Sequence, residues 1–91
     1  MTIRVENTDA GSYQVTVEGA SATVHSVTVT PEYSEKLTGG RASAETLIKK
    51  SFEFLLERES NTSILRAFDL TVIQRYFPEY EHTMVSALRQ P

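Results

Sequence analysis

The chain has 91 residues, 40% of them apolar, which is enough for one small domain (1–91) with a modest core. It contains no cysteine, so disulfides and thiolate metal sites are excluded. The net charge of −3 sits entirely in residues 1–40, where two basic groups face five acidic ones, so that part of the chain repels a phosphate backbone.

Met1-Thr2-Ile3-Arg4 enters an alternating pattern directly, without the apolar stretch of a secretory leader. No apolar run approaches the ~20 residues of a membrane helix. The expectation is a cytoplasmic protein with no membrane partner.

Ile3 and Val5 alternate with polar neighbours and predict a short strand over 2–6, the strand with the least pattern to hold it. Asn7 to Gly11 reads as a turn. Tyr13, Val15 and Val17 predict a second strand, and Gly19-Ala20-Ser21 a reversal. Thr23 to Thr30 is rich in β-branched residues and predicts a third, with His25, Val27 and Val29 on one face. Short links make these an antiparallel meander over residues 2–30.

Thr30-Pro31-Glu32 starts a helix, with a capping hydroxyl, proline at the first position and an acid at the positive dipole end. Tyr33 and Leu37 face the core, and Gly39-Gly40 stops the helix. Ser43 caps the central helix, predicted over about 44–59. Leu47, Ile48, Phe52, Phe54, Leu55 and Leu56 cover an arc of roughly 200° on it. Two layers must close over so wide an arc: a sheet, and either the C-terminal helices or a second subunit.

Further on, Thr62 or Ser63 caps a short turn carrying Ile64, Leu65 and Phe68. Asp69 caps a segment with Leu70, Ile73, Tyr76 and Phe77 on one side, and Pro78 ends it and begins another. Tyr80, Met84 and Leu88 then recur every four residues. The fold class is α+β: a three-stranded antiparallel meander followed by four or five short helices.

Chemistry-bearing groups are sparse. His25 is the ionisable group on the apolar face of its strand and reads as a half-buried histidine bonded to backbone or water. No Ser–His–Asp spacing accompanies it. Glu79 and His82 are a single Glu-x-x-His pair in a helix's first turn, where a carboxylate di-metal site needs two such pairs and two more glutamates. No catalytic residue, metal, cofactor or small molecule is implied. Gly39 to Ser43 reads as a helix stop and a cap rather than a phosphate loop. Tyr76 and Tyr80 belong to an aromatic patch at a helix break, and Phe54 lies at the margin of the central arc. These three are the candidate interface residues of a non-catalytic protein-interaction or regulatory domain, binding a protein partner or forming a homodimer.

Two resemblances bear on this. The run from Val27-Thr28-Val29-Thr30-Pro31-Glu32-Tyr33, through Phe52-Glu53-Phe54-Leu55-Leu56-Glu57-Arg58-Glu59, to Phe68-Asp69-Leu70 and Tyr76-Phe77-Pro78-Glu79-Tyr80-Glu81, resembles a family of small uncharacterised bacterial proteins. It spans roughly 24–82 and implies a bacterial, cytoplasmic, stand-alone protein without supplying a function. Strand 23–30, helix 31–38 and helix 44–59 are similar in order to the ribbon–helix–helix DNA-binding fold. That resemblance implies dimerisation through the strand and base reading by Ser26, Thr28 and Thr30. Arg41, Ser43, Lys49 and Lys50 would then contact phosphate. The strand carries no Arg or Lys, the first helix is about a turn short, and two extra strands compete for pairing. The interaction domain is therefore the first reading and the DNA-binding regulator the alternative.

Overall fold

Alternating apolar and polar side chains drive the N-terminal part into strands, and tight links fold these back on one another. In the computed structural model, which describes residues 2–89, β1 (Thr2–Asp9), β2 (Ser12–Glu18) and β3 (Thr23–Thr28) form the expected antiparallel meander. Met1, Gln90 and Pro91, part of the expected single domain, lie outside the described residues. β1 is longer than expected. It is paired with β2 from Thr2 to Asp9, and the turn shrinks to Ala10-Gly11, with Gly11 at φ 73°.

The pairing stacks apolar side chains in rows across the sheet. Ile3 faces Val17, which faces Thr23; Val5 faces Val15, which faces His25. Tyr13 faces Val27, and Val27 faces Phe68 on a fourth strand, β4 (Ala67–Asp69), which runs parallel to β3. The sheet is thus mixed and four-stranded, in the order β1-β2-β3-β4, rather than a three-stranded meander. The segment expected as a helical turn carrying Phe68 is extended because Val27 and its neighbours offer an open ladder. Three residues are too few to show a period, so tertiary pairing decides their conformation.

The helices are α1 (Pro31–Thr38), α2 (Ala44–Leu56), α3 (Val72–Tyr76) and α4 (Tyr80–Leu88), with a 3-10 turn at Asn61–Ser63. The caps expected at Thr30 and Ser43 form: Thr30 Oγ1 accepts from Tyr33 N at 3.1 Å, and Ser43 Oγ from Thr46 N at 3.1 Å. Those expected at Thr62 or Ser63 and at Asp69 do not, since the 3-10 turn starts from Ser60 and α3 from Thr71, neither with a side-chain cap. Gly39 closes α1 at φ 62°. α2 stops at Leu56, short of the expected Glu59. Its end tightens as Arg58 N and Glu59 N both bond Leu55 O at 2.9 Å, and the Arg58 guanidinium caps Phe54 O at 3.0 Å.

α2 lies against the inner face of the sheet, its Phe52 ring 5.3 Å from His25 and 6.0 Å from Phe68. Its far side is covered by α1 and α4, through Leu37, Tyr80, Met84 and Leu88. The wide arc is therefore closed over within one chain, and needs no second subunit. The outer face of the sheet is bare and mostly polar, with Arg4, Glu6, Gln14, Glu18, Ser26 and Thr28 exposed. Among the described residues no helix is long and apolar enough to cross a membrane.

Candidate protein-interaction site

Leu55 in the last turn of α2 and Glu59 three residues beyond its end line an apolar cleft of about 260 Å³. Ile64 and Leu65, Phe68 of β4, Val72, Ile73 and Tyr76 of α3, and Phe77 line it as well.

The wall at 61–65 has little regular structure and is held by a histidine. His25 is fully buried, with Nδ1 2.7 Å from Leu65 O and Nε2 2.9 Å from Thr23 Oγ1. A carbonyl can only accept, so Nδ1 donates to Leu65; in the neutral ring Nε2 then accepts from the Thr23 hydroxyl. That hydroxyl accepts in turn from Asn61 Nδ2 at 3.0 Å, and the same amide donates to Ser21 O at 2.7 Å. The chain Asn61–Thr23–His25–Leu65 ties the cleft wall to β3. His25 is consumed by this structural task and does not face solvent.

The α3 side is fixed by aromatic packing and by Gln74. Phe54 meets Phe77 edge to face at 5.8 Å and Tyr80 at 5.4 Å, and the Arg58 guanidinium lies 3.6 Å from the Phe54 ring centre. Arg58 Nε also donates to Glu79 Oε2 at 3.3 Å. Gln74 Nε2 donates to Pro78 O at 2.6 Å, while its Oε1 accepts from Glu81 N at 2.8 Å. This side chain satisfies an orphan N–H of α4, which has no side-chain cap at Glu79. Asp69, at the end of β4, accepts from the Thr28 hydroxyl at 2.7 Å and from Thr71 N and Oγ1 at 3.1 and 2.7 Å. Burial works to raise the Asp69 pKa, but these hydrogen bonds outweigh it and hold the carboxyl below its ordinary value.

The three expected interface residues do not form one surface. Phe54 is 4% exposed and Tyr80 0%, so both are core residues; Tyr76 is 67% exposed at the rim of the cleft. The helical period misled because α4 folds back over the margin of α2 and covers Phe54. Tyr80 keeps its hydroxyl by pairing with Ser51 at 2.6 Å. Burial raises the Tyr80 pKa well above that of free tyrosine, and the Glu81 charge also raises it. Leu65, 49% exposed and lining the same cleft, was missed. Its signal was the pair Ile64-Leu65 beside a helix break, where adjacent apolar residues of an extended chain point to opposite sides.

The residues carried by the ribbon–helix–helix resemblance are scattered. Ser43 caps α2, Arg41 lies in the turn before it, and Lys49 and Lys50 are exposed on α2, with Lys50 paired to Glu53 at 3.3 Å. β3 is bonded to β2 on one edge and β4 on the other, so the strand that fold dimerises through is occupied. The Thr28 hydroxyl is engaged by Asp69. His82 is exposed on α4, and its neighbour Glu79 is held by Arg58. Among the described residues no three His, Asp or Glu side chains stand where they could hold one metal ion.

Compared with protein families, with curated proteins and with solved structures, the chain matched nothing in any of the three.

Proposed function

We propose that the chain is a non-catalytic protein-interaction domain that binds a partner protein through the cleft between the end of α2, residues 61–65 and α3. One observation carries this reading. Of the three large apolar side chains left exposed among the described residues, Leu65 and Tyr76 both line the same apolar cleft, and Val24 lies on the sheet outside it. Tyrosine and aliphatic anchors around a hollow are what protein interfaces use. The bacterial, cytoplasmic setting is taken over from the family resemblance. The DNA-binding alternative has no observation of comparable weight behind it.

A photoreactive phenylalanine analogue placed at position 76 or 65 in living cells tests the reading. Crosslinking to the same protein from both positions, and not from position 24 on the bare sheet, is the expected result. The same set of crosslinks from all three positions, or none at 65 and 76, would remove the basis for it.

A further inference from the structure

We propose that two copies of the chain associate through β1, edge to edge and antiparallel, about a two-fold axis at Val5. This stands on observations independent of the cleft. The sheet has two edges. β4 presents only three residues, whereas β1 presents eight, contains no proline or lysine, and is half-exposed or exposed throughout. A long uncovered edge strand is a template for pairing with another chain.

The sequence of β1 is complementary to itself. In an antiparallel pair inward side chains must face inward ones, so Ile3 and Val5 align with Val5 or Asn7, and Arg4 and Glu6 with each other. With the axis at Val5, the two Val5 side chains meet on the apolar face, and each Arg4 faces the partner's Glu6 on the outer face. Moving the axis to Arg4 sets two arginines against each other; moving it to Glu6 sets two glutamates together. Opposite charges across strands favour pairing and like charges oppose it, so the charge pattern selects one register. Arg4 already stands 3.8 Å from Glu18 of its own hairpin. In the pair it lies between two carboxylates. A two-fold contact of this kind is closed, so the assembly stops at two.

Sedimentation and light scattering from micromolar to millimolar concentration test the proposal. Wild type is expected to approach twice the 10.2 kDa of one chain. Arg4→Glu alone and Glu6→Arg alone are expected to hold the single-chain mass. The combined change, which restores opposite charges in the same register, is expected to regain the dimer. Circular dichroism keeps a folding defect apart from lost association. Because the chain lacks cysteine, Val5→Cys supplies an independent reading. Mild oxidation is expected to link it across the axis, and Thr8→Cys, far from its own copy in this register, is not expected to link. A wild type that remains a single chain at millimolar concentration overturns the proposal. So do single reversals that leave the dimer intact, a combined reversal that fails to restore it, or Thr8→Cys crosslinking as well as Val5→Cys.

Discussion

The Tyr80 hydroxyl stands 2.6 Å from Ser51 Oγ, and Ser51 Oγ stands 2.8 Å from Leu47 O. The serine's single proton goes to the carbonyl, so the tyrosine donates to the serine. The two ends of this bond are therefore unequal. Tyr80→Phe leaves Ser51 with its carbonyl partner and is expected to cost about 0.5–1.5 kcal/mol. Ser51→Ala strands a buried phenol and is expected to cost about 1–3 kcal/mol. The double variant should cost less than the sum, since no orphan remains. Urea denaturation of the four proteins reads this directly, and strict additivity would contradict the assignment.

Phe54 and Tyr76 were alike in the sequence and are opposites in the structure. Phe54→Ala opens a cavity between α2, Phe77 and Tyr80 and removes the ring beneath Arg58; a loss of about 3–5 kcal/mol is expected. Tyr76→Ala removes an exposed ring and should change stability by no more than about 0.5 kcal/mol. Comparable losses from both, measured by thermal unfolding, would be inconsistent with α4 lying over Phe54.

His25→Leu keeps an apolar group of similar bulk but orphans Leu65 O and one side of the Thr23 hydroxyl. The expected cost is about 1–3 kcal/mol. Its location is the sharper prediction. Amide exchange at Phe68 and Leu70 should accelerate more than at Val15 or Val17, because the histidine tethers the segment that leads into β4. Uniform acceleration over the sheet would show that His25 only fills space.

Both ends of the pH scale should report on named groups. Tyr33 and Tyr80 have pKa values raised in the fold, chiefly by burial, with the Glu81 carboxylate adding to it at both. Tyr33 donates to that carboxylate at 2.8 Å. The stability this represents is complete below ~pH 10, the unfolded value, and is lost as pH rises beyond it. Tyr33→Phe and Tyr80→Phe should each flatten the alkaline fall in melting temperature. Asp69 has the opposite sign. Its lowered pKa stabilises the fold above ~pH 4, and that contribution is lost as pH falls below the unfolded value. Asp69→Asn should flatten part of the acid limb. An unchanged profile in either variant would argue against these contacts in solution.

What could be read ahead of the structure followed from local physics. The caps at Thr30 and Ser43, the stop at Gly39 and the periods of β2, β3 and α4 are set by neighbours in sequence, and they appear where the residues ask for them. So does the two-sided covering of α2. What escaped depends on distant partners. β4 is extended because β3 has a vacant edge, and Phe54 is buried because Phe77 and Tyr80 return to it. Gln74 reaches across the Pro78 break to serve α4, which no capping pattern announces. The cleft needed β4, the 61–65 segment and α3 together, so only Tyr76 among its lining residues could be singled out beforehand.

The parallel pairing of β4 with β3 also bears on the order of assembly. β1, β2 and β3 join through tight reversals and can meet early, since little chain entropy is lost in closing them. β4 reaches β3 only after α1 and α2 have been laid down between them in the chain. Contacts that far apart form late and slowly. The cleft is therefore among the last features to take shape, and damage to its tether should hasten unfolding far more than it delays folding.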